Sequence, residues 1–514
     1  MTVRSRLMLT GCASLVLAAC ATTPGGSGQL RQPSVLSGLT KIAEVDRRYQ
    51  SYNIEMVQVT GGRFWAPYGG PAGETHRYLP PVDLASPRLR ALASHLAPAY
   101  LRVSGTWANS TYVALEGEVV ATPPPGFGQV LTGSQWRGVI DFAKAADAPI
   151  VTSFTASAGA RDRNGQWTST QADRLLRLTQ AVGGRLHAAE FINEPSLVVP
   201  GGLPRDYGSA AYARDFAVFA KWANKRAPDM LLLGPGNLGE ETVDPGIAAK
   251  LMAPGGAMKS ELLLAATGPR LDAVSWHFYG AVSPRCGGGN GLSSRDAALT
   301  PEWLDRTLIE ADAMTVLRDR LAPGKPLWLT ETAQAACGGS PWAAGFRDTF
   351  RYLNQLGALA QRGVKVVIHN TLAASEYGLA DPATLEPRPN YWGAVLWRRI
   401  MGPVVLASPA GVQGKLRSFA HCAPAMNGGV GLLLINAGES EQVFRAGAAG
   451  ERWIMTAANL DTGQVSVNGV PPALSPDGSI TGLGAARFVD EIAVPARSVV
   501  FASVAANNPH CRRR

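Results

Sequence analysis

Eight short runs rich in β-branched or aromatic residues punctuate the chain, at 63–68, 99–105, 149–156, 187–194, 230–235, 273–280, 326–333 and 365–372. Between them, residues 87–97, 134–147, 170–183, 208–227 and 343–362 carry apolar positions at helical spacing, and Pro301 suits the first turn of a further helix over 301–321. Strands that alternate with helices predict an α/β fold, a (β/α)8 barrel over residues 61–395. In such a barrel the chemistry sits at the C-terminal ends of the strands, so a charged residue ending an apolar run needs an explanation. Two glutamates do so: Glu194 in Phe191-Ile192-Asn193-Glu194-Pro195 ends the fourth run, and Glu331 in Leu327-Trp328-Leu329-Thr330-Glu331-Thr332 ends the seventh. Two carboxylates delivered by strand ends are the minimum equipment for hydrolysing a glycosidic bond.

After Gly402 the texture changes to alternating strands separated by Gly and Asn turns, in VGLLLINAG, RWIMTAANL, GQVSVNG and the closing AVPARSVVFASV. This predicts a β-sandwich domain within 396–514. A chain of 514 residues with 46% hydrophobic content buries enough core for two domains.

Residues 1–20 carry Arg4 and Arg6, an apolar stretch and Leu17-Ala18-Ala19-Cys20. The stretch is too short to span a bilayer and reads as a secretory signal. Leu-Ala-Ala-Cys also matches a bacterial lipobox, which places a lipid on Cys20 and a flexible tether over 21–45. The expected location is periplasmic, or anchored to the outer membrane. Four further cysteines, Cys286, Cys337, Cys422 and Cys511, form an even set in an oxidising compartment, with three pairings open by arithmetic. The charge of +9 is spread without a long basic cluster in the body, which argues against nucleic acid. Arg161, Asp162 and Arg163 read as an exposed charged loop. Metal and organic cofactors are not required, since both halves of the chemistry are carboxylate work.

The segments SPRLRALASHLAPAYLRVSGT (86–106), PLWLTETAQAACGG (326–339) and NYWGAVLWRRIMG (390–402) resemble the heparanase-like enzymes of glycoside hydrolase family 79, as do Tyr377 and Lys415 to Cys422. The resemblance covers nearly all of the chain after about residue 50. It implies a retaining mechanism, with Glu331 as nucleophile and Glu194 as acid/base. It implies further that Asn193 meets the sugar 2-hydroxyl, Tyr279 donates to the nucleophile and His277 supports that shell. A uronate carboxylate would be held by the N–H groups of Gly338 and Gly339 and the hydroxyl of Tyr377. The same resemblance adds residues 46–60 to the sandwich and pairs Cys422 with Cys511, leaving Cys286 with Cys337. Glu190, Glu376 and Asp381 have no such role and read as salt bridges or loop turns.

The expected activity is therefore cleavage of β-glucuronidic linkages in uronic-acid polysaccharides, heparan sulfate among them, or in oligosaccharides, by a monomer tethered to a membrane. Residues 107–136 are largely neutral and carry none of the basic character that a sulfated substrate favours. Two alternatives are a non-catalytic carbohydrate-binding lipoprotein and a related retaining glycosidase for an arabinoside or xyloside.

Overall fold

The computed structural model of the protein describes residues 35–71, 73–242, 258–409 and 416–513. The leader with Cys20 and most of the tether lie outside the described residues. Eight strands, β1 (Gln50–Glu55), β2 (Leu101–Ser104), β3 (Ile150–Ser153), β4 (Leu186–Glu190), β5 (Leu231–Leu238), β6 (Ala273–Tyr279), β7 (Leu327–Ala333) and β8 (Val366–His369), close into a barrel in sequence order. Every neighbouring pair is parallel, β8 with β1 included. One main helix follows each strand: α1 (Pro87–Ser94), α2 (Gly133–Ala145), α3 (Thr170–Ala181), α4 (Ser209–Arg226), α5 (Ser260–Thr267), α6 (Pro301–Leu321), α7 (Phe346–Gln361) and α8 (Pro389–Ile400).

Local chemistry sets several of these starts. Ser86 accepts from Leu89 N with Pro87 following, Thr300 accepts from Trp303 N with Pro301 following, and Thr132 with Gln135 forms a capping box. Alternation within a strand then sorts side chains between shell and lumen. In β2, Leu101 and Val103 join the apolar shell beneath the helices, whereas Arg102 and Ser104 take part in the polar contacts of the lumen. Tyr100, Val151, Ala188, Leu233, Ala273, Trp328, Val366 and Ile368 form a separate apolar plug.

The first strand is not the expected one. The run at 63–68 supplies Gly62–Trp65, which pairs antiparallel with His76–Leu79 in a hairpin outside the barrel. The barrel's first strand is Gln50–Glu55, within the stretch assigned to the sandwich, and it lies between β8 and β2. The N-terminal contribution to the sandwich comes instead from Lys41–Glu44, inside the supposed tether, paired antiparallel with Val404–Leu406. Both residue groups are apolar enough for a strand, and only long-range pairing decides which sheet takes which.

The C-terminal domain is built on an eight-stranded sheet and a two-stranded ribbon, Gln442–Arg445 with Glu491–Val494. Leu432 and Leu434 pack with Phe444, Ile492 and Val494 of the ribbon, while Leu433 and Ile435 share a core with the barrel helices. The contact with α7 is close: a Cβ on Gly357 would stand 2.4 Å from the Phe419 ring. The disulfides are Cys286–Cys337 and Cys422–Cys511, as expected. Among the described residues no helix is long and apolar enough to cross a membrane.

Candidate active site

Glu331 lies within β7 and Glu194 four residues beyond the end of β4. Both are buried and both line a cavity of about 1230 Å³. Glu194 is held at φ 45°, with its N–H bonded to Gly236 O at 3.1 Å. That left-handed backbone is a strained conformation of the kind that clusters at working sites. Oxygens of Glu194 and Glu331, with a nitrogen of His277, all lie within 4.8 Å of one another, inside the roughly 5 Å separation of a retaining pair.

The surroundings treat the two carboxyls differently. Tyr279 Oη donates to Glu331 Oε1 at 2.6 Å, and Arg102 Nη1 donates to Glu331 Oε2 at 2.6 Å. Burial alone would raise Glu331, but the charges of His277 and Arg102 and these hydrogen bonds outweigh it and hold the carboxyl below the usual range. Glu194 is raised, first by burial and further by the charge of Glu331. The surroundings therefore favour the carboxylate at Glu331 and the acid at Glu194.

Beneath them lies a buried ionic cluster. Arg102 Nη2 donates to Glu190 Oε2 and to Asn193 Oδ1, each at 2.8 Å. Glu190 also accepts from Ser275 Oγ at 2.8 Å and Thr330 Oγ1 at 2.6 Å. Against burial, Arg102 holds Glu190 far below the usual range. The expectation of a surface salt bridge for Glu190 is thus corrected: it is fully buried and belongs to the site's foundation. Glu376 and Asp381 do match theirs, in an ion pair with Arg285 and a loop turn capped at Ala383 and Thr384. Arg161 is not an exposed loop charge; it is buried against Asp215 at 2.7 Å.

His277 is fully buried, with Nδ1 3.2 Å from Glu194 Oε1 and 3.8 Å from Glu331 Oε2. Arg102 Nη2 is 3.1 Å from its Nε2, so Nε2 is the ring's acceptor when neutral and Nδ1 carries the hydrogen toward Glu194. Burial opposes a second proton, but Glu331 and Glu190 favour it and push the imidazole up to about 9. His277 thus lies within reach of both carboxylates.

Two residues the sequence reading missed complete the cavity. Glu55, at the end of β1, accepts from Asn370 Nδ2 at 2.9 Å, and burial, then Glu331, pushes it up to about 8. Asn370 Nδ2 also reaches Tyr279 Oη at 3.0 Å and Tyr377 Oη at 3.3 Å, linking the phenol that donates to Glu331 with the far wall. Glu55 also ends its strand, but Gln50, Ser51 and Asn53 make that strand half polar, so the signal that revealed Glu194 and Glu331 is weaker there.

Tyr377 lines the cavity, but Gly338 and Gly339 are buried behind Cys337 and are not in its wall. The N–H of Gly339 is already donated to Ala335 O at 3.1 Å. Cys337, Gly338 and Gly339 all have positive φ, and the N–H groups of Cys337 and Gly338 have no partner among the described residues. The available donors thus sit one residue upstream of the expected pair. Asn193 is in place beside the acid, its Nδ2 3.4 Å from Glu194 Oε2, but its carbonyl oxygen is committed to Arg102. Glu194, His277 and Glu331 are the one grouping with metal-ligand spacing among the described residues. Since both oxygens of Glu331 already accept hydrogen bonds, the arrangement suits carboxylate chemistry.

No family model matches the sequence. Heparanase-like protein 1 of Arabidopsis thaliana is 27% identical over 376 residues, 69% of this chain and 65% of that protein. Heparanase of Mus musculus is 28% identical over 396 residues, 66% of this chain and 68% of its own. Baicalin-beta-D-glucuronidase of Scutellaria baicalensis is 30% identical over 224 residues, 42% of each. The chain thus spans about two thirds of the length of the first two. Among solved structures, a 4-O-alpha-L-rhamnosyl-beta-D-glucuronidase from Fusarium oxysporum superposes with a TM-score of 0.61 at 13% identity, over 90% of this chain and 97% of that one. An arabinofuranosidase of family GH51 from Xanthomonas axonopodis pv. citri gives 0.56 at 16% identity, over 92% and 98%. These two share the fold.

Proposed function

The chain belongs to the heparanase-like glycoside hydrolases of family 79, and from that premise we propose that it hydrolyses β-glucuronidic bonds with retention of anomeric configuration. The observation that carries this reading is the pair Glu194 and Glu331, close together and pushed in opposite directions. Glu331 attacks the anomeric carbon while Glu194 gives its proton to the departing glycosidic oxygen. The C1–O bond to the leaving group breaks as a C1–O bond to Glu331 forms. With Glu331 now esterified, its negative charge no longer raises Glu194, which becomes the base that takes a proton from water. Water's oxygen then displaces Glu331, and both groups return to their starting states.

For the substrate, Tyr377 Oη and the free N–H groups of Cys337 and Gly338 are the donors suited to a uronate carboxylate, a neutral cradle that needs no arginine. Curated relatives that act on glucuronides support this choice. The test is to incubate the chain from residue 30 onward with 4-nitrophenyl β-D-glucuronide and follow the sugar by proton NMR, with Glu331→Gln as the blank. First appearance of the β-anomer is expected. First appearance of the α-anomer, or turnover of the arabinoside in place of the glucuronide, would overturn the assignment. Size analysis of heparan sulfate digests addresses the polysaccharide. We also propose export and lipid anchoring through Cys20, supported by the Leu-Ala-Ala-Cys motif. Incorporation of labelled palmitate, lost in Cys20→Ser, is the expected result.

A further inference from the structure

The two carboxylates give the cavity a direction. The acid Glu194 must stand at the leaving-group oxygen and Glu331 beneath the sugar being transferred, so that sugar extends from Glu331 away from Glu194. On that side runs the relay from Glu331 through Tyr279 and Asn370 to Glu55 and Tyr377. The hairpin of Gly62–Trp65 and His76–Leu79 follows β1 just past Glu55 and meets that side beside Tyr377: a Cβ on Gly338 would lie 2.9 Å from Trp65, and one on the next residue, Gly339, 3.2 Å from Tyr377.

This hairpin is fastened down. Trp65 and His76, opposite each other in its register, both line the cavity, and their rings lie 4.4 Å apart. Trp107, from the segment after β2, packs edge-on against Trp65 and Phe64. From the other side, the buried Arg285 donates through Nε and Nη2 to Ala66 O at 3.0 and 2.6 Å, and through Nη1 to Cys337 O and Gly339 O. Tyr68 N donates to Glu376 Oε1 at 3.2 Å, and Tyr68 Oη to Gly339 O at 3.0 Å. Gly338 runs so close to Trp65 that a Cβ there would lie 2.9 Å from it. The loops after β2, β6, β7 and β8 are therefore bound to one aromatic wall. On the side of Glu194 the cavity continues along Leu197, whose N–H donates to Glu194 O at 2.9 Å, and Leu238, which pairs with His277 in the barrel.

We propose that this wall makes the enzyme exo-acting: it admits one terminal β-glucuronosyl residue with an unsubstituted 4-hydroxyl and releases it as free glucuronic acid. The inference rests on the glucuronidase reading above. A substituent on the far side of that residue would meet Trp65 and His76, whereas the leaving group has the rest of the cavity.

The experiment compares three substrates: 4-nitrophenyl β-D-glucuronide, an oligosaccharide with a β-glucuronosyl residue at its non-reducing end, and the same oligosaccharide carrying a further sugar on that 4-hydroxyl. The expected result is free glucuronic acid from the first two and a rate on the capped chain lower by about 100-fold or more. Trp65→Ala is expected to narrow the uncapped-to-capped ratio by about tenfold or more, a readout independent of how much of the variant folds. Comparable cleavage of capped and uncapped chains, or an unchanged ratio in Trp65→Ala, overturns the proposal. Failure to cleave any of the three would instead refute the glucuronidase reading, and the exo inference with it.

Discussion

Tyr279→Phe tests how the nucleophile is held, because one oxygen atom is removed and the ring is kept. In the native site that hydroxyl donates to Glu331 Oε1 at 2.6 Å while receiving Asn370 Nδ2 at 3.0 Å. Burial, then Glu331, raises the phenol, so it remains a donor throughout the working range. A hydrogen bond to a charged group contributes about 1.5–3 kcal/mol, and one pKa unit corresponds to about 1.4 kcal/mol. Glu331, depressed in the native enzyme, should therefore rise by about 1–2 units, and the acidic limb of kcat/KM should move up by that amount. The two chemical steps should respond unequally. Charge leaves Glu331 in the first step, so losing a donor does not slow it through this interaction. Charge returns to Glu331 in the second, so hydrolysis of the glycosyl-enzyme should slow by about 10–150-fold. With 4-nitrophenyl β-D-glucuronide, stopped-flow absorbance should show a burst of nitrophenol near one equivalent followed by a slow steady state. No burst together with an unmoved acidic limb would refute the assignment of Tyr279 as a donor to the nucleophile.

Glu190→Gln strips Arg102 of one of its two buried counter-ions, and loss of one partner of a buried pair costs about 3–5 kcal/mol; a urea midpoint within error of the native value would sink that account. Cys286→Ser with Cys337→Ser opens a bridge across a sequence separation of 51, which chain entropy values at about 4 kcal/mol and measured cases more often at about 2–4; urea unfolding compared with the native chain measures it. Gly105→Ala puts a Cβ 1.6 Å from Glu55 Oε2 at a backbone φ of 96°, so kcat/KM should fall by about tenfold or more as Glu55 and the Asn370 relay shift. A Gly105→Ala enzyme of native kcat/KM would show that Glu55 has no fixed position to lose.

Much of this fold could be read from the sequence because a barrel repeats one local rule eight times. The start of the 301–321 helix was legible from Pro301, which acts within one turn. Glu194 and Glu331 were legible because an apolar strand that ends in a carboxylate is anomalous on its own. Glu55 ends a half-polar strand, Gln50–Glu55, and so lacks that mark; its strand was given to the sandwich, since the aromatic Arg63–Tyr68 stretch filled the first place in the barrel. Strand propensity reports a fit to a half-buried pleated surface, and it is silent on the partner. Arg102 and Glu190 were beyond reach for a different reason: their charges cancel across a separation of 88 residues, and each alone looks like an ordinary polar residue in a strand. Which N–H groups of Cys337, Gly338 and Gly339 are free was not legible, because all three take left-handed backbone and the glycines alone do not say which N–H is already donated.

The ionic cluster changes the explanation of how two glutamates so close together divide acid from nucleophile. Mutual repulsion raises one of a carboxyl pair, yet it is symmetric and cannot say which. Here the choice is made by Arg102, whose Nη1 meets Glu331 and whose Nη2 meets Glu190 and Asn193, and by Tyr279, which meets Glu331 only. Among the described residues no arginine hydrogen-bonds to Glu194; the charge of Arg102 lowers it only as a minor influence, and burial dominates. Glu190 is needed because a guanidinium facing Glu331 alone would leave its Nε and Nη2 hydrogens short of acceptors in a fully buried place. With Glu190 locked by Ser275 and Thr330, the fork can neither swing toward Glu194 nor leave Glu331. The assignment of roles thus resides in a residue of β2, placed on the lumen side by the alternation of its strand, and not in the two glutamates themselves.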